Sequence, residues 1–229
     1  MISDKELVEQ VRLRFNEKFR QNDTPWLRHD FPPLVKPLAE LLMARSGEPQ
    51  LLDIGCGNGW LTIYFAEAGI EAFGIDGSEI AIAAANQEAR KRDLANVHFL
   101  VGNGLNWPYA ANAFDAVFDR GFLHHVPKSM WPDYLAHLKR VLRPGGYFYL
   151  EVFGEDSQKR GIHPAKDGKF SLSTFEPQFN YWTHDEFFTK ERVLDTFGAD
   201  FLMLKEHYDK ERSAAGGQLR SFIMQKEVT

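Results

Sequence analysis

Gln50-Leu51-Leu52-Asp53-Ile54-Gly55-Cys56-Gly57-Asn58-Gly59 is the stretch around which this chain is organised. It opens with a short apolar run interrupted by Asp53. Three glycines alternating with other residues follow, at Gly55, Gly57 and Gly59. Trp60, Leu61, Phe65 and Ala68 then recur at helical spacing, and Gly69 stands where a helix would end. The order is strand, glycine turn, helix. Glycine has no Cβ and tolerates positive φ, so such a turn lets a ligand approach the backbone closely. In an open parallel sheet the turn lies at the carboxyl end of a strand, where ligands bind.

The spacing narrows the choice of ligand. A dinucleotide fingerprint needs G-x-G-x-x-G, with a pyrophosphate at the helix N-terminus. Here the spacing is G-x-G-x-G, and Asp53 precedes it. A carboxylate at that place opposes a pyrophosphate and suits a positively charged group such as an amino-acid ammonium. Residues 71–76 read as the next strand and end in Asp76, roughly 20 residues past the loop, the spacing of a carboxylate that holds a ribose. A ribose joined to a cationic amino acid points to S-adenosylmethionine. The plainer alternative is a bare glycine turn with a surface aspartate.

On these residues the chain resembles the class I S-adenosylmethionine-dependent methyltransferases. L-L-D-I-G-C-G-N-G is similar to their first motif, G-I-D-G-S (Gly74 to Ser78) to their second, and L-R-P-G-G (Leu142 to Gly146) also fits. The resemblance runs from Gln50 to the end of the chain. It implies that Gly55, Cys56 and Gly57 touch the methionine portion through their backbone, while Asp53 orders the loop and favours the ammonium. It implies that Asp76, with Gly77 and Ser78 beside it, holds the ribose, and that Asn103, Gly104 and Leu105 frame the adenine. Asn103 stands where the family usually has Asp, and it equally suits a turn position in αL. The backbone carbonyl of Arg120 is placed to take the ammonium.

A narrower resemblance covers two segments. A short N-terminal helix followed by D-T-P-W (Asp23 to Trp26) and P-P-L is similar to the thiopurine, thiol and tellurite-type small-molecule methyltransferases. So is D-R-G-x-x-H, Asp119 to His124. That resemblance implies that Trp26 closes over the cofactor; on composition alone Trp26 equally covers the sheet edge. Of the family's P-W-D-x-G only Pro25-Trp26 is kept. A thiol or hydroxyl acceptor must lose a proton, and His124 or His125, with an ordinary pKa of about 6.5, suits that task near neutral pH. The competing reading of the pair is a helix cap or a packed wall. No N-P-P-Y or D-P-P-Y follows this strand, which opposes the grip on a flipped base that base methylation requires.

Composition sets outer bounds. The 229 residues are 44% hydrophobic, enough for one sizeable core with an appendage. The net charge of −5 disfavours a broad nucleic-acid footprint. Cys56 is the one cysteine, so neither an internal disulfide nor a CxxC zinc site is available, and no metal is expected. No apolar run reaches the roughly 18 residues of a membrane span. The start, M-I-S-D-K-E-L, lacks a basic and apolar leader, so a cytoplasmic protein is expected; separately, the expected assembly is a monomer or homodimer.

The expected fold is α/β: a seven-stranded, mostly parallel Rossmann-like sheet with its last strand antiparallel and helices on both faces. Residues 1–48 form an N-terminal helical cap or lid, opened by a capping box at Ser3-x-x-Glu6. Residues 49–229 form the cofactor-binding core. Within it, 154–182 is an inserted loop of basic and aromatic residues, read as a lid over the acceptor or as an oligomer contact. Thr183-x-x-Glu186 predicts the start of a late helix, and Ser129 the start of the one before it. The expected activity is methyl transfer from S-adenosylmethionine to a small molecule, releasing S-adenosylhomocysteine. A nicotinamide-dependent oxidoreductase and a non-catalytic protein of the same fold are the two rivals.

Overall fold

The computed structural model describes residues 3–24, 27, 31–154, 162–164, 170–172, 188–209 and 219–228. Two helices come first, α1 (Asp4–Arg20) and α2 (Val35–Met43). Then follow β1 (Gln50–Ile54), α3 (Trp60–Glu67), β2 (Glu71–Asp76), α4 (Glu79–Lys91), β3 (Val97–Val101) and β4 (Phe114–Arg120). The chain continues through α5 (Trp131–Val141), β5 (Leu142–Phe153), the short pair β6 (Ile162–Pro164) and β7 (Phe170–Leu172), α6 (Lys190–Phe197), β8 (Phe201–Asp209) and β9 (Leu219–Lys226).

Local chemistry sets several of these boundaries. Ser3 and Glu6 close the expected capping box: the Glu6 amide donates to Ser3 Oγ at 3.3 Å, and the Ser3 amide to Glu6 Oε2 at 2.7 Å. Ser78 caps α4 by accepting from the Ala81 amide at 3.2 Å. The last long helix starts later than the sequence predicts. Its cap is Thr189, which accepts from the Arg192 amide, and residues 183–187 lie outside the described residues. At Ser129 the chain first makes a 3-10 turn, Lys128–Met130, and α5 begins only at Trp131.

Among the described residues seven strands form one sheet in the order β3-β2-β1-β4-β5-β9-β8. Every pairing from β3 across to β5 is parallel, and β9 runs antiparallel to both its neighbours. The chain works outward from β1 to β3, then crosses to β4 on the other side of β1. A crevice opens at such a switch point, at the carboxyl ends of β1 and β4.

Side chains alternate between the two faces of the sheet. Leu52, Val117 and Phe148 face one layer with Tyr134, Leu138 and Phe197; Leu51, Ala116 and Tyr149 face the other with Leu38, Leu42 and Phe65. Phe118 is wholly buried, stacked on Tyr149 at 4.3 Å and edge-on to Phe65 at 5.3 Å. Each such ring stabilises the fold by about 1.5–3 kcal/mol relative to exposure. The amino ends of the strands are fastened by the buried Asp115. It accepts from the Gln50 amide at 2.9 Å and from Arg45 Nε at 3.1 Å, and it pairs with Arg143. No described helix is long and apolar enough to cross a membrane.

Candidate functional site

A cavity of about 390 Å³ opens at the carboxyl ends of β1, β2, β4 and β5. One side is made by Gly55, Gly57, Asp76, Gly77, Ser78, Asn103, Gly104 and Leu105. The other carries Arg120, His124, His125, Glu151 and Phe153. The face of α1 bearing Val8, Val11, Arg12, Phe15 and Phe19 roofs both.

The glycine loop is held by its own hydrogen bonds. Gly55 and Gly57 have φ of 69° and 56°, so a side chain at either would be strained. The amides of Gly55 and Cys56 both donate to the Ile75 carbonyl, at 2.8 and 3.2 Å. The Gly57 amide donates to Asp76 Oδ2 at 2.9 Å, and the Gly59 amide to the Cys56 carbonyl at 3.0 Å. These four donors are therefore engaged inside the protein. A loop whose amides are engaged in this way is a poor nest for phosphate.

Two of the predicted residues stand behind the loop rather than in the cavity wall. Asp53 is buried, and Thr62 Oγ1 donates to its Oδ2 at 2.6 Å. Burial, opposed by that hydrogen bond and reinforced by Asp119 and Asp76, pushes its pKa up to about 7. A nearby positive charge would favour its ionised form. Cys56 is also buried, its Sγ within 2.8 Å of where a Cβ on Gly74 would stand. Burial, with Asp53 and Asp76 nearby, drives its thiol well above the usual range, so it is not a nucleophile.

Asp76 joins the loop to the end of β2. Besides Gly57 it accepts from the Ser78 amide at 2.7 Å. Burial raises its pKa, and those two amides oppose the rise. A carboxylate has about four acceptor sites, so it retains capacity for hydroxyls from the cavity. Asn103 Oδ1 accepts from the Leu105 amide at 2.9 Å, shaping its own turn while the residue lines the cavity. Trp26 lies outside the described residues.

β4 ends in a second organising carboxylate. Asp119 is buried and accepts from the Phe122 amide at 2.8 Å, the Leu123 amide at 3.1 Å and Tyr134 Oη at 2.7 Å. Burial, opposed by these three donors, pushes it up to about 6. It fixes the 3-10 turn Leu123–His125 and so presents the histidines. His124 is stacked on Phe153 at 4.6 Å, and His125 meets Phe15 edge-on at 5.0 Å.

Several wall residues escaped the sequence reading. A Cβ on Gly104 would come within 2.5 Å of the Phe122 ring, so Phe122 spans the floor between the β1 and β3 loops. Arg12 Nη1 donates to the Gly77 carbonyl at 3.2 Å, and Asn16 accepts from Ser78 Oγ at 2.8 Å, which seats α1 on the cavity rim. The one available signal was the apolar recurrence Val8, Val11, Phe15, Phe19 along α1; nothing in it names the surface it covers. Glu151 was legible only as a polar break in an apolar strand.

The sheet order with its single reversed strand, and a self-bonded glycine loop beside an acidic β2 end, define the class I S-adenosylmethionine-dependent methyltransferase fold. Residues 51–146 match the family described as methyltransferase domain. Among curated proteins it is similar to the 2-heptyl-1-hydroxyquinolin-4(1H)-one methyltransferase of Mycobacteroides abscessus, 31% identical over 141 residues, 59% of this chain and 60% of that protein. It is also similar to the 27-O-demethylrifamycin SV methyltransferase of Amycolatopsis mediterranei, 39% identical over 122 residues, 52% of this chain and 44% of that one. The match thus spans 60% or less of the length of these two relatives. Among solved structures, the 1,6-didemethyltoxoflavin-N1-methyltransferase of Burkholderia thailandensis, with bound 1,6-didemethyltoxoflavin and S-adenosylhomocysteine, has the same fold. The TM-score is 0.76 at 22% identity, over 99% of this chain and 92% of that one.

Proposed function

We propose that this protein is an S-adenosylmethionine-dependent methyltransferase acting on a small molecule. The observation that carries the reading is the glycine loop: its engaged amides and its two flanking carboxylates suit a ribose and an ammonium, and oppose a pyrophosphate. The named relatives all act on small molecules. A volume of about 390 Å³ lies within the usual range for small-molecule pockets.

Asp76 holds the ribose hydroxyls with the lone pairs that Gly57 and Ser78 leave over. Gly55 and the Arg120 carbonyl face the ammonium, and buried Asp53 stabilises it from behind. Asn103, Gly104, Leu105 and the Phe122 ring enclose the adenine. When bound, the cofactor supplies a methyl group on a sulfonium, open to in-line displacement. The chain's share is to align the acceptor and exclude water, which α1 does from above. His124 and His125 line the cavity, and an imidazole suits the task of taking the acceptor's proton.

Isothermal titration with S-adenosylhomocysteine and with NAD tests this reading. We expect binding of the first at micromolar concentration and none of the second. The reverse would overturn it. Release of S-adenosylhomocysteine in the presence of thiols, phenols, amines and oxyanions then identifies the acceptor.

A further inference from the structure

The cavity wall at the ends of β4 and β5 holds a buried ion pair whose side chains the proposed chemistry does not use. Arg120 Nε donates to Glu151 Oε1 at 2.9 Å. Glu151 Oε2 in turn accepts from Tyr149 Oη at 3.0 Å and Ser221 Oγ at 2.8 Å. The carboxylate is thus bonded from three strands, β4, β5 and β9, and its side chain is 2% exposed. Across the guanidinium stands Trp60, with its ring centroid 5.8 Å from Cζ. The arginine is fixed from two sides.

Only one of its three nitrogens is used in that arrangement. Among the described residues no acceptor lies within hydrogen-bond distance of Nη1 or Nη2. Both residues line the cavity; the Arg120 side chain stays 13% exposed, while the 2% exposed Glu151 carboxylate is taken up by its three hydrogen-bond donors. The pair is neutral as a whole but asymmetric toward the cavity, presenting donors and withholding its carboxylate. Guanidinium donors in a fixed plane match a carboxylate or phenolate far better than a neutral apolar edge.

We propose that Arg120, pinned by Glu151, is the residue of this cavity that reads a ligand oxyanion through Nη1 and Nη2. The inference rests on the methyltransferase reading and deepens it. Two sources could supply the oxyanion: the carboxylate of the cofactor's own amino acid, or an acidic group on the methyl acceptor.

The test compares wild type with Arg120→Met/Glu151→Gln, which removes both charges together and leaves no buried carboxylate unpaired. Arg120→Lys, which keeps the partner of Glu151 but has no second donor plane, serves if the double variant melts early. One arm titrates S-adenosylhomocysteine against 5′-methylthioadenosine, which lacks the amino-acid portion. The other titrates salicylate against phenol on protein saturated with S-adenosylhomocysteine. We expect at least a tenfold loss for the carboxylate-bearing member of one pair, with its neutral counterpart within twofold. Loss in the first arm assigns the group to the cofactor, and loss in the second to an acidic acceptor. No selective loss in either arm overturns the proposal while leaving the methyltransferase reading intact. Failure of wild type to bind S-adenosylhomocysteine at all overturns both.

Discussion

The Gly57 amide donates to Asp76 Oδ2 at 2.9 Å, across a separation of nineteen residues. One side chain therefore closes the loop after β1 onto the end of β2 and also faces the cavity. Structure and binding are joined in a single carboxylate.

Asp76→Ala should accordingly show two losses. Removing the acceptor leaves the Gly57 and Ser78 amides without their partner, a destabilisation of about 1–3 kcal/mol. It also removes the ribose contact proposed for Asp76, and hydrogen bonds to a charged acceptor are worth about 1.5–3 kcal/mol each. We expect S-adenosylhomocysteine affinity to fall at least tenfold by calorimetry, together with a lower urea midpoint. An unchanged isotherm would defeat the assignment.

The raised pKa values of Asp53 and Asp119, about 7 and about 6, make folding and binding respond to pH in opposite directions. Both lie above the ordinary aspartate value, so between pH 4 and 7 the folded chain holds more protons than the unfolded one. Their contribution to stability is present below pH 4 and is lost as pH rises through 6 and 7. A cationic ligand favours the ionised forms, so its affinity should rise across that window with release of protons. Asp53→Asn should be more stable than wild type above pH 7, by on the order of 1 kcal/mol or more, and should bind S-adenosylhomocysteine several-fold more weakly. Urea melts at pH 5 and pH 8, with calorimetry in two buffers of different ionisation enthalpy, measure both effects.

Gly104 and Phe122 should be coupled. A methyl group on Gly104 collides with the Phe122 ring and forces it out of its place in the cavity wall. Gly104→Ala is expected to weaken S-adenosylhomocysteine binding about tenfold, roughly 1.4 kcal/mol. Phe122→Leu, which clears the space, should restore much of that loss in the double variant. Strict additivity of the two changes would show that the ring does not transmit the effect.

His124→Gln and His125→Gln separate chemistry from cofactor binding. At least one variant should lower kcat tenfold or more, within the usual range for a lost proton acceptor, while S-adenosylhomocysteine affinity stays within twofold. If both leave kcat intact with a thiol or hydroxyl acceptor, the pair is a packed wall.

Much of this arrangement was legible before any coordinates. Gly55, Gly57 and Asp76 are local signals, because a positive φ or a strand-end carboxylate leaves its mark at one position. The reversed β9 was legible from a short, glycine-containing connection after β8. What escaped were contacts made between distant segments. Arg12 on Gly77, and Phe122 against Gly104, depend on which surfaces meet, and no local pattern encodes that. The late start of α6 has a different cause. Thr183 and Thr189 both suit a cap, and the isolated bridge between Gly154 and Phe188 precedes the helix, so it begins after the second. Asp53 was expected beside a ligand and is found sealed, because Thr62 on α3 reaches it first.

The Asp115 clamp lies at the rim of the sheet opposite the cavity, where Arg45, Arg143 and Gln50 converge. Rigidity and chemistry are thus housed at opposite poles. Loops at the cavity end can therefore be altered without disturbing the strand register, which the anchored end holds.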